Sequence, residues 1–174
     1  MKSDKILPRF YFNRNYEAHI PTRDDWNKSR VDLNDEAVCF TDGSRMNSAG
    51  QAGAGIYNQT DCEEYYYPLG CRCSVFQAEI YAILQCARLH SLHCRNNASV
   101  AICSHSQAAL KALTSPKVSS ALVAETVCAL KELSVHKSVR LNNMNWLRSL
   151  QRRSSQPISW LKTKSHTTTA NMHP

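Results

Sequence analysis

The stretch ASVAICSHSQAALKAL, residues 98–113, decides the fold. Its first part, 98–103, is short, apolar and partly β-branched, which is typical of a buried strand. Its last part, 106–113, consists of good helix formers, and a Ser-His-Ser corner lies between the two. A strand that leads directly into a helix predicts an α/β domain, and such a corner is a favoured place for chemistry. His105 stands at that corner.

The segments before this unit predict an antiparallel meander and a long helix. Three short apolar or aromatic-rich segments are separated by glycine, proline and polar residues, and we expect Gly43-Ser44 to end the first strand. The third strand has the character of an edge strand. The helix has Ser74 as a plausible N-cap and an apolar face at helical spacing. The predicted strands are 37–42, 53–57 and 62–69, the helix is 74–93, and its apolar face is Phe76, Ile80, Ile83 and Ala87.

The segments after it predict a second helix pair and a last strand. The first helix, 106–113, is separated from a second, 118–135, by Ser115-Pro116, and a fifth strand begins at 138–141. The element order is therefore β-β-β-α-β-α-α-β, which is typical of a mixed α/β domain.

The two ends of the chain differ from the middle. Residues 1–35 mix charges without periodicity and are interpreted as a leader or linker, so the predicted domain covers 36–141. Residues 142–174 are interpreted as a divergent basic tail. The net charge of +7 is concentrated near this end, because the chain from residue 140 onward has basic residues and no acidic one. The near-neutral middle therefore gives no indication of nucleic-acid binding from charge alone.

The eight cysteines are interpreted as reduced thiols. The N-terminal segment has no apolar signal core, and no run is long enough for a membrane helix, so we expect an intracellular protein of cytoplasm or nucleus without a membrane partner. Helical spacing places Cys86 beside His90, whereas His93 and Cys94 point elsewhere, and Cys71-Arg-Cys73 fits no zinc-finger spacing. Buried or surface thiols are favoured over a zinc site.

Three polar positions are predicted to meet at one place. Asp42 follows the first strand, Glu79 lies at the shoulder of the apolar face of the long helix, and His105 follows the fourth strand. If the first and fourth strands are neighbours and the helix covers them, the three side chains converge. From spacing alone, Glu79 has the alternative of reaching solvent at the edge of the apolar face, and His105 that of an exposed corner residue.

The sequence resembles ribonuclease H type 1 domains, particularly those of non-LTR retrotransposon polyproteins. The resemblance covers about residues 37–141 and is strongest in three blocks that occur in the expected order. These blocks are CFTDGSRMNSAGQAGAGIY, VFQAEIYAIL and ICSHSQAALKAL, at 39–57, 75–84 and 102–113.

The resemblance implies a ribonuclease H-like fold, with a five-stranded mixed sheet and helices on both faces. It also implies cleavage of the RNA strand of an RNA–DNA hybrid with two Mg²⁺ or Mn²⁺ ions, which need several carboxylate ligands. Asp42 and Glu79 match the first two metal-binding carboxylates. Gly43, Ser44 and Gln107 match positions that lie against the hybrid.

This sequence departs from the family pattern at two places. His105 occupies the position of the third catalytic carboxylate, and the last acidic residue is Glu132, so the fourth carboxylate and the final helix cannot be recognised after residue 141. The sequence therefore predicts a ribonuclease H-type domain that binds nucleic acid with impaired catalysis. The alternatives are an inactive nucleic-acid-binding relic and an interaction protein whose protein partners are unknown.

Overall fold

The computed structural model describes residues 4–20, 37–46, 50–92 and 98–144. These residues form an α/β domain in which a six-stranded mixed sheet is flanked by three helices. The elements are β1 (Lys5–Phe10), β2 (Glu17–His19), β3 (Ala37–Arg45), β4 (Ala52–Asn58), β5 (Glu63–Gly70), α1 (Val75–Leu92), β6 (Ser99–Ser104), α2 (Gln107–Thr114), β7 (Lys117–Ser120), α3 (Ala121–His136) and β8 (Ser138–Asn143).

The main sheet has the strand order β2-β8-β6-β3-β4-β5. Strands β3, β4 and β5 pair antiparallel, which confirms the predicted meander with β5 at an edge. Strand β3 also pairs parallel to β6, and β6 pairs parallel to β8. The stretch 98–113 therefore forms the central β6 and the helix α2 that follows it, as the sequence predicts.

The sheet has one strand more than the predicted five, because β2 pairs parallel to β8 from a segment that was expected to be a leader. The same segment contains β1, which forms a separate two-stranded sheet with β7. Tyr16 lies between β1 and β2 in the sequence. It is buried, and its hydroxyl donates a hydrogen bond to the Leu113 carbonyl over 2.7 Å. Burial raises the pKa of Tyr16 to about 12. Residues 4–20 are thus packed on the domain.

The core lies mainly between the sheet and the helices. The larger cluster of buried side chains includes Cys39 of β3 and residues of all three helices, whereas Val38 and Phe40 belong to a smaller cluster on the other sheet face. Neighbouring strand residues point to opposite faces. Within the described residues, helices therefore cover one face only. The last helix that the resemblance implies, which the sequence predicts to be missing or altered, would follow residue 141, and most of that part of the chain lies outside the described residues.

Three local predictions are wrong. Gly43-Ser44 do not end the first strand, because β3 continues to Arg45 along β4. The helix predicted from residue 118 begins at Ala121, since β7 precedes it and pairs with β1. Phe76, which the sequence predicts on the apolar face of α1, is instead 36% exposed at the start of that helix. By contrast, Ser74 caps α1 as predicted: its hydroxyl accepts from the Gln77 amide at 3.2 Å.

No helix in the described ranges combines the length and the apolar character that crossing a membrane requires. The predicted basic tail begins at residue 142, but Asn142 and Asn143 belong to β8, and Met144 is a buried member of the smaller core cluster. The rest of the predicted tail, from residue 145 on, lies outside the described residues.

Asp4 binds the first turn of α3, and its removal should destabilise the domain. Its carboxylate accepts from the Leu122 amide at 2.9 Å and from the Ser120 hydroxyl at 2.7 Å. Loss of an acceptor at a helix N-terminus typically costs about 1 kcal/mol. We expect Asp4→Ala to lower the free energy of unfolding by about 1–2 kcal/mol in urea denaturation, whereas the exposed control Glu17→Ala should change it by under about 0.5 kcal/mol. Equal effects of the two substitutions would contradict this role of Asp4.

Candidate functional site

The backbone of β3 approaches α1 most closely at Gly43. A Cβ atom added to Gly43 would lie 2.3 Å from the Glu79 amide nitrogen and 2.7 Å from the Ala78 carbonyl carbon. Both are backbone atoms, which cannot move aside as a flexible side chain can. Only glycine fits here, so the residue next to Asp42 determines how closely the helix carrying Glu79 lies on the strand.

Glu79 is buried, and the end of β6 lies beside it. Its side chain and backbone together are only 6% exposed, so the predicted inward direction is confirmed and the solvent-reaching alternative is wrong. The Ser104 hydroxyl donates to Glu79 Oε2 over 3.4 Å. Burial of a carboxylate costs free energy unless polar groups compensate it, so a glutamate at this position lowers the stability of the fold.

Strands β3 and β6 bring Asp42 and His105 to the same end of the sheet. Their parallel register pairs Thr41 with Ser104, the last residue of β6. Asp42 and His105 each follow these partners directly, and both are partly exposed. The register places Asp42 and His105 at the same end of neighbouring strands, and the Gly43 contact brings the α1 backbone at Glu79 to that end. The three predicted catalytic positions therefore lie at one corner of the sheet, where the Asp42 side chain lines a cleft with Phe40 and Tyr57.

The corner continues into the first turn of α2. The Ser106 hydroxyl caps this helix by accepting from the Ala109 amide at 3.1 Å, and the Ser106 amide donates to the Ser104 hydroxyl over 3.2 Å. Ser104 thus connects Glu79 to the turn that holds His105, which helps to fix the shape of the corner.

The residues predicted to contact a hybrid occupy different environments. Ser44 is exposed on β3, and Gln107 is partly exposed at the start of α2. Gly43 is buried against α1, so its observed contact is with the helix. The catalytic, metal-binding and substrate-binding roles of these residues stay predictions.

A second polar cluster lies further along the same interface between β3 and α1. Cys39, Cys86 and His90 are all buried, and their potential metal-ligand atoms lie within 4.8 Å of one another. Cys39 Sγ is 2.9 Å from His90 Nε2. Two thiols and an imidazole suit a borderline transition metal such as Zn²⁺, and they suit Mg²⁺ poorly.

Contacts within the cluster shift the pKa values of its two thiols in opposite directions. Hydrogen bonding from Cys86 and the proximity of His90 lower the pKa of Cys39 to about 6, although burial acts in the opposite direction. The same hydrogen bond, together with burial, raises the pKa of Cys86 well above its ordinary value. These opposite shifts favour Cys39 over Cys86 as the thiol of the pair that ionises first.

Sequence reasoning recognised only part of this cluster. Helical spacing identified Cys86 and His90 as neighbours, but Cys39 comes from β3 and no sequence spacing connects it to them. The sequence signal for Cys39 is limited to its place on the predicted first strand, because its contact depends on which face of β3 the helix covers. His93 and Cys94 lie outside the described residues, and Cys71 is exposed.

Comparison of the chain with protein-family profiles finds no match, and comparison with curated proteins also finds none. The resemblance to ribonuclease H type 1 domains therefore stays a prediction from the sequence.

Substitution of Gly43 should test the close contact between β3 and α1. We expect Gly43→Ala to lower the free energy of unfolding by about 2–3 kcal/mol, because the added Cβ must displace backbone of α1. The matched control is Gly53→Ala on β4, where the added Cβ would lie 3.6 Å from the nearest oxygen, an ordinary contact. Its cost should stay under about 1 kcal/mol in the same urea titration. A neutral Gly43→Ala would contradict this geometry.

The ionisation of Cys39 should be visible as thiolate ultraviolet absorbance in folded, chelator-treated protein. We expect a transition with a midpoint near pH 6, and Cys86→Ala should move it upward because the stabilising hydrogen bond is lost. The pKa is depressed in the folded state, so the contribution of Cys39 to stability is present above its ordinary value of 9.0 and is lost as pH falls through about 6. Cys128→Ala, an exposed control, should leave the transition unchanged. Absence of any thiolate below about pH 8 would contradict the assignment.

Proposed function

We propose that this protein is a ribonuclease H-type domain that binds RNA–DNA hybrid and hydrolyses it slowly or not at all. The observation that supports this most is the placement of Asp42, Glu79 and His105 at the same end of the sheet, which follows from the pairing of β3 with β6 and from the close approach of Gly43 to α1. Carboxylates from a strand and a helix, next to a strand-to-helix turn, are the arrangement that the resemblance implies for the catalytic site.

The burial of Glu79 favours a functional origin for this corner. A carboxylate at 6% exposure is costly in a domain core. Positions where a sequence retains such a cost are more often functional than structural. The hydrogen bond from Ser104 offsets only part of this cost.

The residues present do not fit a two-magnesium centre. Two Mg²⁺ ions bring four positive charges, whereas Asp42 and Glu79 bring two negative ones, and Glu79 already accepts a bond from Ser104. The His105 imidazole is a poor ligand for Mg²⁺. We therefore derive no hydrolytic step through such ions, and the proposed activity is binding with strongly reduced turnover.

Binding would use the polar surface around the corner. Ser44 and Gln107 lie on either side of it, on β3 and α2, and their side chains can meet phosphates and 2′-hydroxyls of an A-form-like duplex. Because Ser44 and Gln107 are neutral, a fall of affinity with rising salt concentration would come from basic side chains that contact the phosphates beside them.

A hybrid-cleavage assay tests the proposal. With labelled RNA–DNA hybrid and Mg²⁺, we expect the wild-type protein to bind without appreciable turnover. We expect His105→Asp to raise the cleavage rate by about 100-fold, because it places a carboxylate at the third metal-binding position. Each tenfold in rate corresponds to about 1.4 kcal/mol of transition-state stabilisation. His136→Asp, on the exposed end of α3, is the matched control for adding a carboxylate, and it should leave turnover unchanged.

The outcomes separate the alternatives. The gain in His105→Asp should disappear when Asp42→Asn is added, since Asp42 would hold the same ion. Salt-sensitive binding without any gain in His105→Asp would indicate an inactive nucleic-acid-binding relic. Failure of the folded wild-type protein to bind hybrid at low salt would contradict the proposal and favour an interaction protein.

A further inference from the structure

The three buried side chains Cys39, Cys86 and His90 form a ready-made ligand set. Their exposed fractions are 1%, 0% and 8%, respectively. The donor atoms already lie within 4.8 Å of one another, a separation from which small rotamer changes reach a common ion. Metal–ligand bonds to zinc are about 2.0–2.3 Å long.

The ligands are held by two well-supported elements. β3 is paired on both sides, with β4 and with β6, and Cys39 has a partner residue on each neighbour. Cys86 and His90 are four residues apart on α1, so they lie on one face of the helix, one turn apart. Because strand and helix are fixed by this packing, little ordering would accompany metal binding.

Space and charge beside the cluster favour a cation. A cleft of about 20 Å³ adjoins it, enough for one water-sized group, and its lining includes Asp61 and Glu63. The Asn58 side-chain amide donates a hydrogen bond to the Asp61 carboxylate, and the Tyr65 hydroxyl donates one to the Glu63 carboxylate. Oxygen ligands can therefore complete a fourth position that the three protein side chains leave open.

We propose that Cys39, Cys86 and His90 bind one Zn²⁺ ion, with a water or a carboxylate of the cleft as the fourth ligand. On binding, Cys86 would release its thiol proton to solvent, and the two thiolates would then neutralise the ion, which reduces the cost of holding its charge in the core. The ion would cross-link β3 to α1 beyond the corner that contains Asp42 and Glu79. This inference stands without the proposed function, because it needs neither hybrid binding nor cleavage.

Metal titration of the folded, chelator-treated full chain tests the site directly. Co²⁺ is the spectroscopic probe, because tetrahedral Co²⁺–thiolate coordination gives intense visible bands and near-ultraviolet charge transfer. We expect these bands to saturate at one equivalent and to disappear when Zn²⁺ displaces the probe. Competition with a chromogenic chelator should give a Zn²⁺ dissociation constant on the order of nanomolar or tighter.

Matched variants locate the ion. Cys86→Ala and His90→Ala should each weaken Zn²⁺ binding by at least about 100-fold, since each removes a direct ligand. Cys103→Ala removes a buried thiol outside the cluster and should retain full affinity, as should Cys71→Ser combined with Cys73→Ser. Circular dichroism checks that each variant is folded.

Two results would overturn the site. One is the absence of Co²⁺–thiolate bands in the wild-type protein, a measurement that does not depend on whether any variant folds. The other is binding that survives both ligand substitutions and is lost in the Cys71→Ser, Cys73→Ser protein, which would place the ion elsewhere. Neither result affects the hybrid-binding assay, so the two proposals fail separately.

Discussion

The contact between Gly43 and the backbone of α1 is the constraint on which the arrangement of this domain depends. A side chain as small as a methyl group would force the helix away from β3. Because residue 43 is a glycine, α1 lies directly on β3, and this contact sets the distance between the strand and the inward-facing side of the helix. Glu79 then reaches the corner near Asp42, while Cys86 and His90 come to lie over Cys39. One close backbone approach thus determines two separate polar clusters.

These two clusters differ in chemistry although they share one interface. Oxygen donors predominate at the corner near Asp42, and sulfur and nitrogen donors predominate around Cys39. Hard cations prefer the first environment and borderline cations the second. His105 interrupts the oxygen-rich corner, which is why hydrolysis there is proposed to be weak. The same residue type is an appropriate ligand in the second cluster, so the consequences of a histidine depend on its neighbours.

The sequence was sufficient for features with local causes, and the structure was needed for features that depend on distant partners. Periodicity predicted α1 and placed Glu79 at the shoulder of its apolar face, and the strand-to-helix corner predicted β6 and α2. That β3 and β6 are neighbours was only a condition in the sequence argument, and their pairing establishes it. Gly43 looks like a strand breaker in sequence, whereas its actual role comes from the helix packed on it. Strands β2 and β7 are short, and only their partners identify them. Cys39 joins its cluster by the same kind of long-range contact.

The attachment of the N-terminal segment has a consequence for the order in which the chain can fold. Asp4 contacts Leu122 across 118 positions of sequence, and Tyr16 contacts Leu113 across 97. During synthesis the N-terminal residues emerge first, yet their partners are among the last parts of the domain to appear. Closing so large a loop is entropically costly and slow compared with local helix formation. We therefore expect β1 and β2 to pair with β7 and β8 only after those later strands have been synthesised.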